Sequence, residues 1–93
     1  MTFKNYLKGY KLNYSEPAKK FLSKCDKTLA KKIEEKLNQL TNGYQGLDIK
    51  KLKAYQESTY RLRVNNIRVL FNIINKELLV YVIEIDHRKS IYD

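Results

Sequence analysis

Apolar and polar residues alternate from Gly9 to Tyr14, with Tyr10, Leu12 and Tyr14 on one face, and this period of two predicts a strand. Ser15-Glu16-Pro17 then supplies a helix start, because serine caps and proline is tolerated in a first turn. Ala18, Phe21, Leu22 and Cys25 follow the i, i+3, i+4, i+7 stripe of an amphipathic helix. A second helix opens at Asp26 or Lys27, carries Leu29, Ile33, Leu37 and Leu40 on one stripe, and closes at Thr41-Asn42-Gly43. Residues 43–58 have no clean period, although Leu47, Ile49 and Leu52 can tack the segment to the domain between its lysines. Three alternating runs follow, Thr59 to Val64, Ile67 to Ile74 and Leu78 to Asp86, separated by Asn65-Asn66 and Asn75-Lys76-Glu77. They read as an antiparallel meander. The expected fold is α+β in the order β-α-α-β-β-β, a helical hairpin packed on one face of a four-stranded, largely antiparallel sheet. Its 93 residues suit one domain spanning 1–93, with residues 1–8 as a loose N-terminal arm.

The same alternation places the arginines. Tyr60, Leu62 and Val64 share the face that meets the helices, so Arg61 and Arg63 project from the other. With Asn65-Asn66 as a two-residue turn, Val64 opposes Ile67 and Arg63 opposes Arg68. Like charges directly opposed in a sheet are unfavourable, so this pair calls for a local acid or an arriving anion. In the last strand, Leu79, Tyr81, Ile83 and Ile85 are expected to face the helices, which requires a three-residue loop before it. Glu84, Asp86 and Arg88 then fall on the arginine face, where the two carboxylates can hold guanidinium groups in place.

Charge sharpens this picture. Lys and Arg total 19 against 10 Asp and Glu, a net charge of +9, and 43% hydrophobic residues argue for a folded chain. Such an excess points to a polyanion: nucleic acid first, then an anionic membrane, then an acidic protein. The lysines at 19, 20, 24, 27, 31, 32 and 36 read as a solvated helix face. Cys25 is the one cysteine and reads as a buried apolar residue. With one cysteine and one histidine, neither an internal disulfide nor a protein-only metal site is expected, no cofactor is implied, and a reducing cytoplasm fits best. No apolar run approaches the ~18 residues that span a bilayer. Leu78 to Ile83 is strand length, and the first residues lack the apolar stretch of a secretory signal.

The element order, the run KKLKAYQESTYRLRVNNIRVLF and the ending IDHRKSIYD together resemble the RelE/ParE superfamily of toxins from bacterial type II toxin-antitoxin systems. The resemblance covers roughly residues 10–92. Its most specific elements are Tyr60-Arg61-Leu62-Arg63, Arg68 in an Ile-Arg-Val-Leu-Phe strand, and His87-Arg88 followed by Tyr92. Ala54 stands where many members have glycine, the chain stops one residue after Tyr92, and residues 1–8 precede the usual start.

The resemblance implies a metal-independent endoribonuclease that cuts messenger RNA on the ribosome and is silenced by an acidic antitoxin. It implies Arg68 and Arg88 as catalytic arginines, with Arg63 supporting the reaction and Tyr92 as the C-terminal tyrosine. It also implies that Arg61, Arg63, Lys51 and Lys53 bind phosphate. The chemistry is attack of an RNA 2′-hydroxyl on its own 3′-phosphate, which needs a proton acceptor, stabilisation of charge on phosphorus and a proton for the departing oxygen. A tyrosine serves as base only when cations lower its ordinary pKa of about 10, whereas histidine is tuned nearer neutrality. Tyr92 is the expected base and His87 the second choice, because continued alternation points His87 to the helix side. Two other functions share the scaffold or the charge: a ParE-like inhibitor of DNA gyrase, and a non-catalytic domain that binds nucleic acid or an acidic peptide.

Overall fold

The computed structural model describes residues 7–44, 46–52 and 59–87. In chain order the elements are β1 (Lys11–Tyr14), α1 (Glu16–Lys24), α2 (Lys27–Thr41), β2 (Asp48–Lys51), β3 (Thr59–Val64), β4 (Ile67–Ile74), a 3₁₀ turn (Asn75–Glu77) and β5 (Leu79–His87). They form one α+β layer pair with the helices on one face of a sheet ordered β1-β5-β4-β3-β2. The sheet has five strands where four were expected. The additional strand, β2, pairs antiparallel with β3. It is a short edge strand whose residues are exposed except for a half-buried Ile49, so it carries almost no hydrophobic signal. β1 runs parallel to β5 and the remaining pairs are antiparallel.

Both helices start where side-chain caps permit. Ser15 Oγ accepts from Ala18 N at 3.2 Å, with Pro17 in the first turn. Asp26 caps α2 by accepting from Thr28 N and Leu29 N. That helix closes at Asn42, and Gly43 follows at φ +81°, the left-handed step that ends many helices. Ser15 also binds across the layer interface: its N–H donates to Val82 O at 2.9 Å and its hydroxyl to Ile83 O at 2.5 Å. One residue thus starts α1 and fixes it to the middle of β5.

The core lies between the layers. Ile33, Leu37 and Leu40 of α2 and Ala18 of α1 meet Tyr60, Leu62, Val64, Ile67, Val69, Phe71 and Ile73 of the hairpin. Tyr60 stacks on Phe71, with centroids 5.7 Å apart. Leu7 is fully buried in the same cluster and Gly9 N donates to Thr41 O, so the chain is tied down from residue 7 onward. Cys25 is half-buried at the C-terminal cap of α1.

The β3–β4 hairpin turns over Asn65-Asn66, with Val64 opposite Ile67 and Arg63 opposite Arg68. Asn65 takes φ +56°, a region that asparagine tolerates better than most residues. The last strand departs from expectation. Ile74 pairs with Leu79, so four residues, 75–78, separate β4 from β5, and Leu78 sits at φ +50°. This even loop turns Val80 and Val82 into the core, in place of Leu79 and Tyr81. The register then slips between Leu70 and Phe71: Phe71 opposes Val82, Leu70 opposes Glu84, and Ile83 is the extra residue of a β-bulge. Beyond the bulge the phase is restored, so Ile85 is core while Glu84 and Asp86 lie on the opposite face. The bulge supplies the odd residue that the loop lacks.

Replacing Ser15 with alanine removes the helix cap and leaves the bulge carbonyl of Ile83 without its donor. We expect Ser15→Ala to lower unfolding free energy by about 1–2 kcal/mol in urea titration. A loss within error of zero would mean that the bulge is held some other way. Tyr14, half-buried at the end of β1, has its phenol pushed above the usual tyrosine range by burial and by the Glu34 carboxylate. Its neutral form is favoured by folding, so that contribution is complete below the unfolded pKa of about 10 and fades as pH rises through the higher folded value. Tyr14→Phe should therefore flatten the alkaline loss of stability, measured as melting temperature from pH 9 to 12.

Candidate nucleic-acid interface

The face of the sheet opposite the helices carries the charges, and the register orders them in rows. One row crosses four strands as Asp48, Arg63, Arg68 and Asp86. The next reads Lys50, Arg61, Leu70 and Glu84. A third brings Thr59, Asn72 and Tyr81 together, with Thr59 Oγ1 donating to Asn72 Oδ1 at 2.6 Å. Tyr81 reaches this face because the even loop inverts the first half of β5.

These arginines differ in exposure. Arg61 and Arg68 are 4% and 7% exposed, whereas Arg63 at the end of β3 is half-buried. Part of the cover is apolar: Leu52, at the end of β2, and Leu70 form a small second cluster on this side. Arg61 Nη1 meets Asp48 Oδ1 at 3.2 Å, pairing a buried guanidinium with a carboxylate that is 59% exposed. The acid that holds an arginine here therefore comes from β2, while the Asp86 carboxylate accepts from its neighbour's amide, His87 N, at 2.7 Å. Glu84 is exposed beside Leu70.

The expected site residues are distributed as follows. Arg61, Arg63 and Arg68 share one face of the hairpin. Lys51 is exposed and sits opposite Tyr60, in register with the helix-facing set, so Lys50 rather than Lys51 stands beside Arg61. His87 pairs with Ile67 and lies edge-on to Phe21 of α1, with centroids 6.1 Å apart, on the helix side of the sheet. Lys53, Arg88 and Tyr92 lie outside the described residues. Asp48, Lys50 and Tyr81 escaped sequence reasoning. The first two fall in the segment without a period, and the third depends on a bulge that no residue pattern announces.

Between α2 and the hairpin tip lies a concavity of 230 Å³, lined by Val64, Asn65, Leu47, Asp48 and two lysines of α2 and, from the arginine face, by Arg63. A larger, mainly apolar groove of 890 Å³ runs between α1 and the end of β5, past Phe21, Leu29, Ile83 and Ile85. Among the described residues no three His, Cys, Asp or Glu side chains are grouped to hold a metal, and no helix is long and apolar enough to cross a membrane.

Over residues 12–92 the chain matches the model for the ParE toxin of the type II toxin-antitoxin system, parDE. Solved structures share its architecture. The archaeal RelE–RelB complex from Pyrococcus horikoshii OT3 superposes with a TM-score of 0.73 at 19% identity, covering 88% of this chain and 98% of that one. The RelB–RelE antitoxin–toxin complex from Methanococcus jannaschii gives 0.69 at 28% identity, over 87% and 95%. The isolated E. coli RelE toxin gives 0.69 at 20% identity, over 85% and 84%. No curated protein matches the chain in sequence.

The Arg61–Asp48 pair can be tested by a double-mutant cycle. Asp48→Ala should cost about 1–2 kcal/mol in urea unfolding, because it strips a buried guanidinium of a charged acceptor. In an Arg61→Ala background the same change should cost much less, giving a coupling of about 1 kcal/mol. Additive effects would show that the pair does not contribute.

Proposed function

The chain belongs to the ParE toxin family of type II toxin-antitoxin systems, within the RelE/ParE superfamily, and we propose that it acts on RNA as a ribosome-dependent messenger RNA endoribonuclease. The observation that carries this reading is the direct opposition of Arg63 and Arg68 on the face that the helices leave uncovered. Such a pair is unfavourable in itself and becomes favourable when a phosphate sits between the two guanidinium groups. Arg63, the more exposed, makes the first contact. Arg68, directly opposite, is 7% exposed, where a charge is less screened by water.

In the proposed reaction the 2′-hydroxyl loses its proton and its oxygen attacks the adjacent phosphorus. The bond to the 5′-oxygen breaks and that oxygen takes up a proton, leaving a 2′,3′-cyclic phosphate and a 5′-hydroxyl. Arginine suits stabilisation of the extra charge because its planar fork meets two phosphate oxygens. Arg68 and Arg88 take that role, Arg61 and Arg63 hold the strand, and Lys53 and Lys50, the latter beside Arg61, extend the basic approach in place of Lys51, which is in register with the helix-facing set. Tyr92 accepts the proton. His87 is set aside for this task, since it packs on Phe21 across the sheet from the arginines. An acidic antitoxin is the partner that restrains the toxin, as the archaeal neighbours are toxin–antitoxin complexes. The site of action would be the cytoplasm, where ribosome and message meet.

A second reading has one specific support: the matching model is that of ParE. A ParE-like chain would inhibit DNA gyrase and leave RNA intact. The two are separated by inducing the toxin without its antitoxin and mapping message ends by primer extension, alongside a gyrase supercoiling assay with purified protein. We expect new message ends and unaffected supercoiling, with Arg68→Ala plus Arg88→Ala lowering cleavage by at least about 100-fold. Tyr92→Phe should lower it as well. Intact messages with lost supercoiling would favour the gyrase reading, and salt-sensitive RNA binding without cutting on ribosomes would leave only a binding domain.

A further inference from the structure

Lys32 and Lys36 of α2, which composition alone assigns to a solvated helix face, share the hairpin-tip concavity with Arg63. They stand four residues apart, so both project from one side of the helix, a spacing at which like charges weaken it. Lys36 is half-buried there while Lys32 is exposed. Among the described residues neither lysine is seen in an ion pair. The one carboxylate lining the concavity, Asp48, is already engaged at 3.2 Å by Arg61. Lys32, Lys36 and Arg63 thus line one concavity of 230 Å³ whose single lining carboxylate is engaged by Arg61.

Position adds to charge. β2 begins at Asp48, which pairs with Arg63, so Arg63 is the last residue of β3 that β2 covers before the hairpin tip. A strand lying along the arginine face and passing the hairpin tip would leave Arg63 and come next to the α2 lysines. Arg63 belongs to both places: it opposes Arg68 on the sheet and lines the concavity at its edge. From this juxtaposition we infer that Lys32, Lys36 and Arg63 form a second phosphate subsite, which holds the RNA backbone next to the nucleotide bound on the arginine face. This inference rests on the RNA reading above and adds a subsite to it. Leu47 and Val64 are the apolar residues lining the concavity, so a backbone phosphate fits it better than an amphipathic peptide. The apolar groove beside Phe21 and Ile85 is suited to a peptide of that kind.

The test is the salt dependence of binding to a 2′-O-methyl RNA dodecamer, which cannot be cut at its own 2′-oxygens. Wild type is compared with Lys32→Gln/Lys36→Gln, with Lys20→Gln/Lys24→Gln on α1 as a charge-matched control, and with Arg63→Ala. Loss of two phosphate contacts should lower the slope of log K against log salt by about 1.4, at about 0.7 per contact on a single strand. Affinity at low salt should fall by about tenfold. The control should keep the wild-type slope. A wild-type slope in Lys32→Gln/Lys36→Gln with a reduced one in Arg63→Ala would overturn the subsite and leave the RNA reading standing. Equal losses in the two lysine pairs would overturn it in favour of diffuse attraction. Absence of salt-dependent RNA binding in the wild type would overturn the subsite, while the mapping of message ends decides the RNA reading separately.

Discussion

Two arginines are opposed in register where β3 turns into β4, and most of the molecule is arranged around that pairing. Directly opposed residues have Cβ atoms roughly 5 Å apart, and like charges placed opposite one another in a sheet are unfavourable. Arg63 and Arg68 are held there by a two-residue turn that allows no slippage, because one step of register would send Leu62, Val64, Ile67 and Val69 out of the core. Relief comes from either side. Asp48 is next to Arg63 in register, although its carboxylate bonds Arg61, and Asp86 is next to Arg68, so an acid stands in the adjacent strand beside each arginine of the pair. The row is therefore tolerable when empty and still has two cations turned toward an anion.

The acids reach their places by different routes, and the difference shows what a sequence can carry. Asp86 is legible, since polar residues at the end of β5 mark their own face. The first half of that strand is not, because Leu78 to Ile83 is apolar at every position and has no phase. Expectation assigned the odd residues of the whole strand to the core, through an odd loop. The structure has an even loop and a bulge at Ile83, which agree with that assignment only beyond residue 83. Loop and bulge each shift the phase by one residue, so Glu84 and Asp86 reach the arginine face although the first half of the strand is inverted. Asp48 belongs to an edge strand whose exposed residues give no alternation, and nothing local marks it as the partner of Arg61.

The helices and the hairpin were the readable part. Caps at Ser15 and Asp26, the stripes of α1 and α2, and the turn at Asn65-Asn66 each follow from a local rule that tertiary context had no reason to override. The grouping of Arg61, Arg63 and Arg68 followed from the same rule of alternation. What alternation could not supply was burial. Alternation puts the strand arginines on the face away from the helices but is silent on their exposure, and Arg61 and Arg68 are nearly enclosed there, on the side where Leu52 and Leu70 form a small apolar cluster. A buried guanidinium has fewer rotamers open to it, so it meets a phosphate with less reorganisation than a solvated one.

The two faces of the sheet thus answer to different demands. On the helix side, a continuous apolar cluster stabilises the fold, and deleting any of its members opens a cavity. On the other side charge is concentrated against its own electrostatic interest, with little apolar area in return. Neutralising Arg63 should leave the fold as stable as before, or more so, while removing the first contact for a phosphate. Stability and anion binding are then opposed at that residue, as expected where a local rule is broken for function. The opposition is confined to one face because the helices cover only the other. In a sheet with helices on both faces, the same row of charges would have to be buried without any anion to join it.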